Sequence, residues 1–218
     1  MYLIKNKNFN TAFTLAEVII VMGIIGILAE MTLPTLIKDV QKQILKTTAM
    51  KAFSEAAGAV QKMRQDEGGS LNYYYTTLRT FKPVYMKYFK ILRDCDMSDC
   101  VPNVGGVAQG YKSLTGEGAY PHRMDEGQFV TQDGMFYAIE NGGVMIFITI
   151  DVNGYDKKPN VFGEDTFMFQ IINDNLVPMG ASSSYYPVRT SYSFCDRTYN
   201  ATSQGFGCMA NVVDGRSY

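Results

Sequence analysis

Asp151, Asn153, Asp156 and Asp165 place four oxygen-bearing side chains along one Gly- and Pro-containing stretch, DVNGYDKKPNVFGED. Carboxylate and amide oxygens at that density suit calcium, a hard cation that takes six to eight oxygen ligands. The spacing is not that of an EF-hand. Tyr155 falls at the fifth loop position, Asp156 stands where the required Gly would be, and Phe162 stands where the terminal Glu would be. A plainer reading of the same residues is a pair of Asx turns around Asn153-Gly154 and Pro159-Asn160. Both readings stay open at the level of sequence.

Four cysteines form two local groups, Cys95 with Cys100 and Cys195 with Cys208. CDMSDC is not the CxxC of a redox or zinc centre, and His122 is the only histidine. In an oxidising compartment two short-range disulfides are the simplest outcome, each contributing roughly 2–3 kcal/mol through the chain-entropy term. Four cysteines allow three connectivities, so the other pairings stay open. Catalytic patterns are missing: there is no GxSxG, HExxH or GxxxxGK[ST]. The adjacent pairs Asp125-Glu126 and Glu164-Asp165 are expected at the surface, because neighbours on a strand point to opposite faces and neighbours in loops are solvated. The chain is not expected to be an enzyme.

Glu17 is the charge that stands out. It lies near the start of the apolar run from Phe13 to Ile37. As a helix this run extends about 40 Å, enough to cross a hydrocarbon core of about 30 Å. A carboxylate at the centre of such a helix costs roughly 2.5–3.5 kcal/mol, and less near its edge, so Glu17 requires a compensating partner. A cleavable secretory signal would carry its small residues after the apolar core, whereas here Thr11 and Ala12 precede it. Cleavage at that point leaves the helix on the mature protein. Glu30 falls near the far interface, where a carboxylate reaches water.

Residues 12 to 36, AFTLAEVIIVMGIIGILAEMTLPTL, resemble the processing and assembly region of type IV pilins and type II secretion pseudopilins. The resemblance implies that a prepilin peptidase cuts between Ala12 and Phe13 and that the new Phe13 amino group is N-methylated. It also implies that Glu17 neutralises the ammonium of a neighbouring subunit during filament assembly. Pro34 falls where the family commonly has a helix-kinking proline, and Gly23 and Gly26 lie in the stretch that loosens in filaments. Ala12 stands where the family usually has Gly. It is still small enough for a narrow protease subsite, so cleavage is expected. The Cys195–Cys208 pair resembles the disulfide-bounded carboxy-terminal loop of many type IV pilins, and the Asp151 stretch resembles the calcium loop of major pseudopilins.

Beyond Pro34, Val40, Ile44, Phe53, Ala57 and Val60 recur at helical steps, with Lys42, Lys46, Lys51, Glu55 and Lys62 on other faces. The helix is expected to end near Gly68-Gly69, and its apolar stripe requires a covering sheet. Strand-like runs at Gln128 to Val130, Met135 to Glu140, Val144 to Val152, Thr166 to Ile172 and Leu176-Val177 alternate with turn signals. They predict an antiparallel meander of three to five strands. Arg79 to Leu92 reads as a second helix despite Pro83, and Gly105 to Gly127 as a long surface loop. The expected fold class is α+β: a long N-terminal helix, half transmembrane and half amphipathic, packed against a small antiparallel sheet in the manner of a pilin lollipop. Its segments are a leader at 1–12, a transmembrane and assembly helix at 13–37 and an amphipathic extension at 38–67. A variable loop region at 68–127 and the sheet with the disulfide-bounded carboxy-terminal region at 128–218 follow.

Twenty basic and 21 acidic residues leave a net charge of -1, which gives no general nucleic-acid surface. The partners implied are other copies of the chain and pilin-like subunits in a helical filament, a prepilin peptidase, an inner-membrane assembly platform and membrane lipid. The location implied is the bacterial inner membrane with a periplasmic globular part, then a periplasmic or cell-surface filament serving adhesion, motility, secretion or DNA uptake. No cofactor is required, and calcium is the one candidate. The competing reading is a signal-anchored periplasmic domain that binds a ligand without forming filaments. It predicts an uncut amino terminus and indifference to Glu17.

Overall fold

The apolar run and its polar continuation form one helix, α1 (Leu15–Asp66), in the computed structural model, which describes residues 13–120, 122–143, 145–188 and 193–216. Pro34 lies inside it and has no N–H to donate to the Glu30 carbonyl one turn earlier. The helix stops at glycine: Gly68 and Gly69 both have positive φ, and Gly69 N–H reaches back to the Arg64 carbonyl at 2.7 Å. Its most apolar window has a mean hydropathy of 2.1 and no buried residue, so by length and composition α1 can cross a membrane. The chain divides into two compact units, residues up to Lys42 and Gln43–Tyr218.

Within the second unit, Ala49, Ala52, Ala56, Ala59, Val60 and Met63 of α1 are buried against a six-stranded antiparallel sheet. The strands are β1 (Ile91–Asp94), β4 (Gln128–Thr131), β5 (Phe136–Asn141), β6 (Ile146–Asp151), β7 (Thr166–Ile172) and β8 (Asn175–Pro178), adjacent in that order. Alternation sends Tyr137, Ile139, Ile148, Ile150, Phe167 and Phe169 towards the helix. Phe136, Ala138, Phe147 and Met168 go to a second core with Tyr111, Phe162, Met179 and Phe206. Burial on both faces explains why β5 to β7 read as nearly continuous apolar runs.

Four expectations require correction. The buried stripe of α1 is alanine-rich, while Ile44 is exposed and Phe53 and Ala57 are only partly buried. Alanine lets the helix approach the sheet closely, and a search weighted towards large side chains passes over it. Arg79 to Leu92 is not one helix. Arg79 has φ +62°, short helices α2 (Asn72–Thr76) and α3 (Phe81–Tyr85) flank it, and a 3-10 turn at Met86–Tyr88 leads into β1. Pro83 is accommodated in the first turn of α3, where its missing N–H is not needed. The added strand β1 raises the sheet above the expected three to five. Gly105 to Gly127 is not simply a surface loop, since Tyr111, Leu114, Ala119 and Met124 in it are buried. A small hairpin of β2 (Asn103–Val104) and β3 (Val107–Ala108) precedes them.

Both disulfides form locally, Cys95–Cys100 and Cys195–Cys208. The second ties the last helix, α4 (Cys208–Val213), to the loop before it.

Candidate functional site

At the start of α1, Thr14 N–H and its hydroxyl both donate to Glu17 Oε2 at 2.8 Å. In return Glu17 N–H donates to Thr14 Oγ1 at 3.2 Å. This is a capping box, in which a Thr and a Glu three residues on satisfy each other's backbone donors. Its sequence signal, Thr-x-x-Glu before an apolar run, was available in Thr14-Leu15-Ala16-Glu17. Glu17 therefore has a structural task in its own chain, independent of any partner subunit. Phe13 beside it is exposed. Ala12, the residue before the expected cut, lies outside the described residues.

The Asp151 stretch folds around two buried carboxylates. Asp151 Oδ1 accepts N–H bonds from Asn153 and Gly154 at 3.2 and 3.0 Å, and its Oδ2 accepts the Tyr111 hydroxyl at 2.6 Å. Asp165 accepts Asn160 N–H and Val161 N–H, both at 2.7 Å. Asp165 is thus buried, not paired with Glu164 at the surface as its sequence position suggested. Burial, and then the nearby charge of Asp165, push the Asp151 carboxyl up to about 7, against the lowering effect of its three donors. Burial likewise raises Asp165, and it drives the Tyr111 hydroxyl well above its ordinary value.

Of the two expected Asx turns, the one around Asn153-Gly154 forms, closed by Asp151, whereas at Pro159-Asn160 the Asn160 N–H is taken by Asp165 and the Asn160 amide oxygen closes no turn. The oxygen inventory goes further. Asn153 directs its Nδ2 to the carbonyls of Lys157 and Lys158, and Asn160 directs its Nδ2 to that of Tyr155. Those bonds orient both amides and leave Asn153 Oδ1 and Asn160 Oδ1 buried without a partner. Asp156 is exposed, and among the described residues no three His, Cys, Asp or Glu side chains gather at metal-binding distance. Asn160 and Tyr111 are the members of this site that sequence spacing missed. Tyr111 enters from a distant loop and carries no local signal.

Fold and sites together define an α+β domain carried on a helix apolar enough to span a membrane. No family model, no curated protein and no solved structure matches the chain.

Proposed function

We propose that the chain is the precursor of a structural subunit in a type IV pilus-like or pseudopilus filament, cut before Phe13 and N-methylated there. The observation that carries this reading is the apolar surface of α1. Ile19, Ile20, Met22, Ile25, Leu28 and Met31 are all more than half exposed among the described residues. At roughly 25 cal/mol per Å² such a surface is unfavourable in water, and it is satisfied by lipid in a precursor and by other copies of the helix in a filament. The test is mass spectrometry of the amino-terminal peptide after co-expression with a prepilin peptidase. A peptide beginning at Phe13 with one added methyl group is expected. An intact leader, or a cut after the apolar run, overturns the proposal.

The capping box favours a second reading, because it accounts for Glu17 in a simple anchor helix. On that reading the chain is a signal-anchored periplasmic binding domain.

Calcium is proposed as a stabilising ligand of the Asp151 stretch. Asp151 and Asp165 with the free amide oxygens of Asn153 and Asn160 are an oxygen-only donor set, and a cation there would offset the repulsion between the two buried carboxylates. At roughly a hundredfold excess over Kd, binding to the folded state alone adds about 2.7 kcal/mol, or roughly 5–10 °C in Tm. Differential scanning calorimetry with calcium against EDTA is expected to show that rise in the wild type and not in Asp151→Asn. Equal Tm values for the wild type in both buffers would remove calcium from the account.

A further inference from the structure

We propose that the groove between α1 and the β4–β5 turn is a binding site for a neutral saccharide of one or two rings. The site belongs to the second compact unit and holds whether α1 enters a filament or only anchors the chain. The groove has a volume of about 530 Å³, within the range of small-molecule sites. Ser54, Gly58 and Lys62 of α1 line one side, and Tyr88, Phe89 and Gln132 the other. Gly58 leaves the helix wall bare: a Cβ there would meet nothing within 4 Å, so a side chain added at this position has room to enter the groove.

The opposite wall is held in place. Tyr88 donates its hydroxyl to Asp66 Oδ2 at 2.5 Å, and the Phe89 ring packs on Phe129 and Tyr137 at 5.6 and 4.9 Å. Asp133, at the turn, accepts the Thr131 hydroxyl at 2.6 Å and Lys51 Nζ at 2.8 Å, and Lys51 also reaches Glu55 at 3.6 Å. One polar atom behind this wall is left over. The Tyr137 hydroxyl is buried and makes no hydrogen bond among the described residues. Its ring lies against Phe89, and the two acids whose charges act on it, Glu55 and Asp133, both border the groove. A buried hydroxyl without a partner is costly, and a polar group entering the groove from this side relieves that cost.

The lining sets the chemistry of the ligand. Glu55 and Asp133 are balanced by Lys62 and Lys90, so the groove selects neither an anion nor a cation. Ser54 and Gln132 carry groups that both donate and accept. Tyr88 and Phe89 are only partly buried and supply aromatic surface. A pyranose matches both halves of this lining. Its hydroxyls pair with groups of either sense, and its C–H face lies well on the negative face of an aromatic ring. A purely apolar ligand would leave the Tyr137 hydroxyl and the charged rim unpaired, and a phosphate would meet two carboxylates.

Saturation-transfer difference NMR of the full chain tests the site, in a polyoxyethylene detergent that carries no sugar. The probes are cellobiose, maltose, lactose and diacetylchitobiose. At least one is expected to take up saturation from the wild type. Gly58→Leu, which fills the groove, is expected to abolish that signal with the near-UV circular dichroism unchanged. Tyr137→Phe is expected to raise the Kd about fivefold, the worth of one hydrogen bond. Tyr185→Ala removes an exposed ring that packs on Phe147, outside the groove, and is expected to keep the wild-type Kd. If Gly58→Leu does not fold, Ser54→Leu occludes the same wall from an exposed helix position. No saturation of any of the four sugars by the wild type, or an undiminished signal in the occluded variant, overturns the site. Tighter binding of inorganic phosphate than of every sugar overturns the neutral ligand.

Discussion

Glu17→Ala is expected to be cut and methylated like the wild type and then to be nearly absent from filaments. If the Phe13 ammonium of one subunit meets Glu17 of the next, truncation leaves a cation unpaired in an apolar bundle. That costs about 3–5 kcal/mol, or roughly a hundredfold to several thousandfold in incorporation. The capping box complicates the alanine result, since losing it costs about 1 kcal/mol of helix stability by itself. Glu17→Gln separates the two effects. Glutamine serves at this position of a capping box, so it keeps the bonds with Thr14 and loses only the charge. The measurement is the amount of subunit in sheared filaments relative to membranes, by immunoblot. Loss in both variants assigns the role to charge. Normal assembly of Glu17→Gln assigns it to the helix start and ends the pairing hypothesis.

The second large effect is expected from Phe169→Ala. Phe169 sits on β7, fully buried, with its ring stacked on Phe53 of α1 at 5.5 Å and 9°. It couples the alanine stripe of the helix to β7, where neither side can collapse far into a cavity. Phe→Ala in such a place costs about 3–5 kcal/mol, a large share of the 5–15 kcal/mol typical of a folded domain. Urea midpoints followed by near-UV circular dichroism would register this as a large downward shift. Tyr137→Phe is the contrasting case in the same core. Its hydroxyl is buried with no partner, so removing it is expected to be neutral or stabilising. A loss below about 1 kcal/mol for Phe169→Ala would mean that the helix and sheet are not tightly packed there.

The long helix, its glycine stop, the five later strands and the local disulfides were legible because each rests on adjacent residues. The reading failed where distant residues decide. β1 is a strand because Ile91 to Asp94 find β4 as an edge to pair with, and nothing within Arg79 to Leu92 announces that partner. Asp165 looked like half of a solvated pair until the backbone N–H groups of Asn160 and Val161 closed around it. The capping box is a different kind of miss. Its four-residue signal is local, but a charge in an apolar run points first to a partner in another chain and masks the bonds Glu17 makes to Thr14.

The two outermost strands differ from those between them in a way that matters for crowding. β1 has four residues, an irregular register between Ile91 and Arg93, and an exposed Arg93; β8 also has four and ends at Pro178. Short, bulged, charged or proline-ended margins resist recruiting another chain by backbone pairing. Confinement to a two-dimensional lipid plane raises the collision frequency between copies far above that of the same number of molecules free in volume. With both margins blunted, such collisions are steered away from amyloid-like stacking, and ordered self-association is left to surfaces other than the sheet.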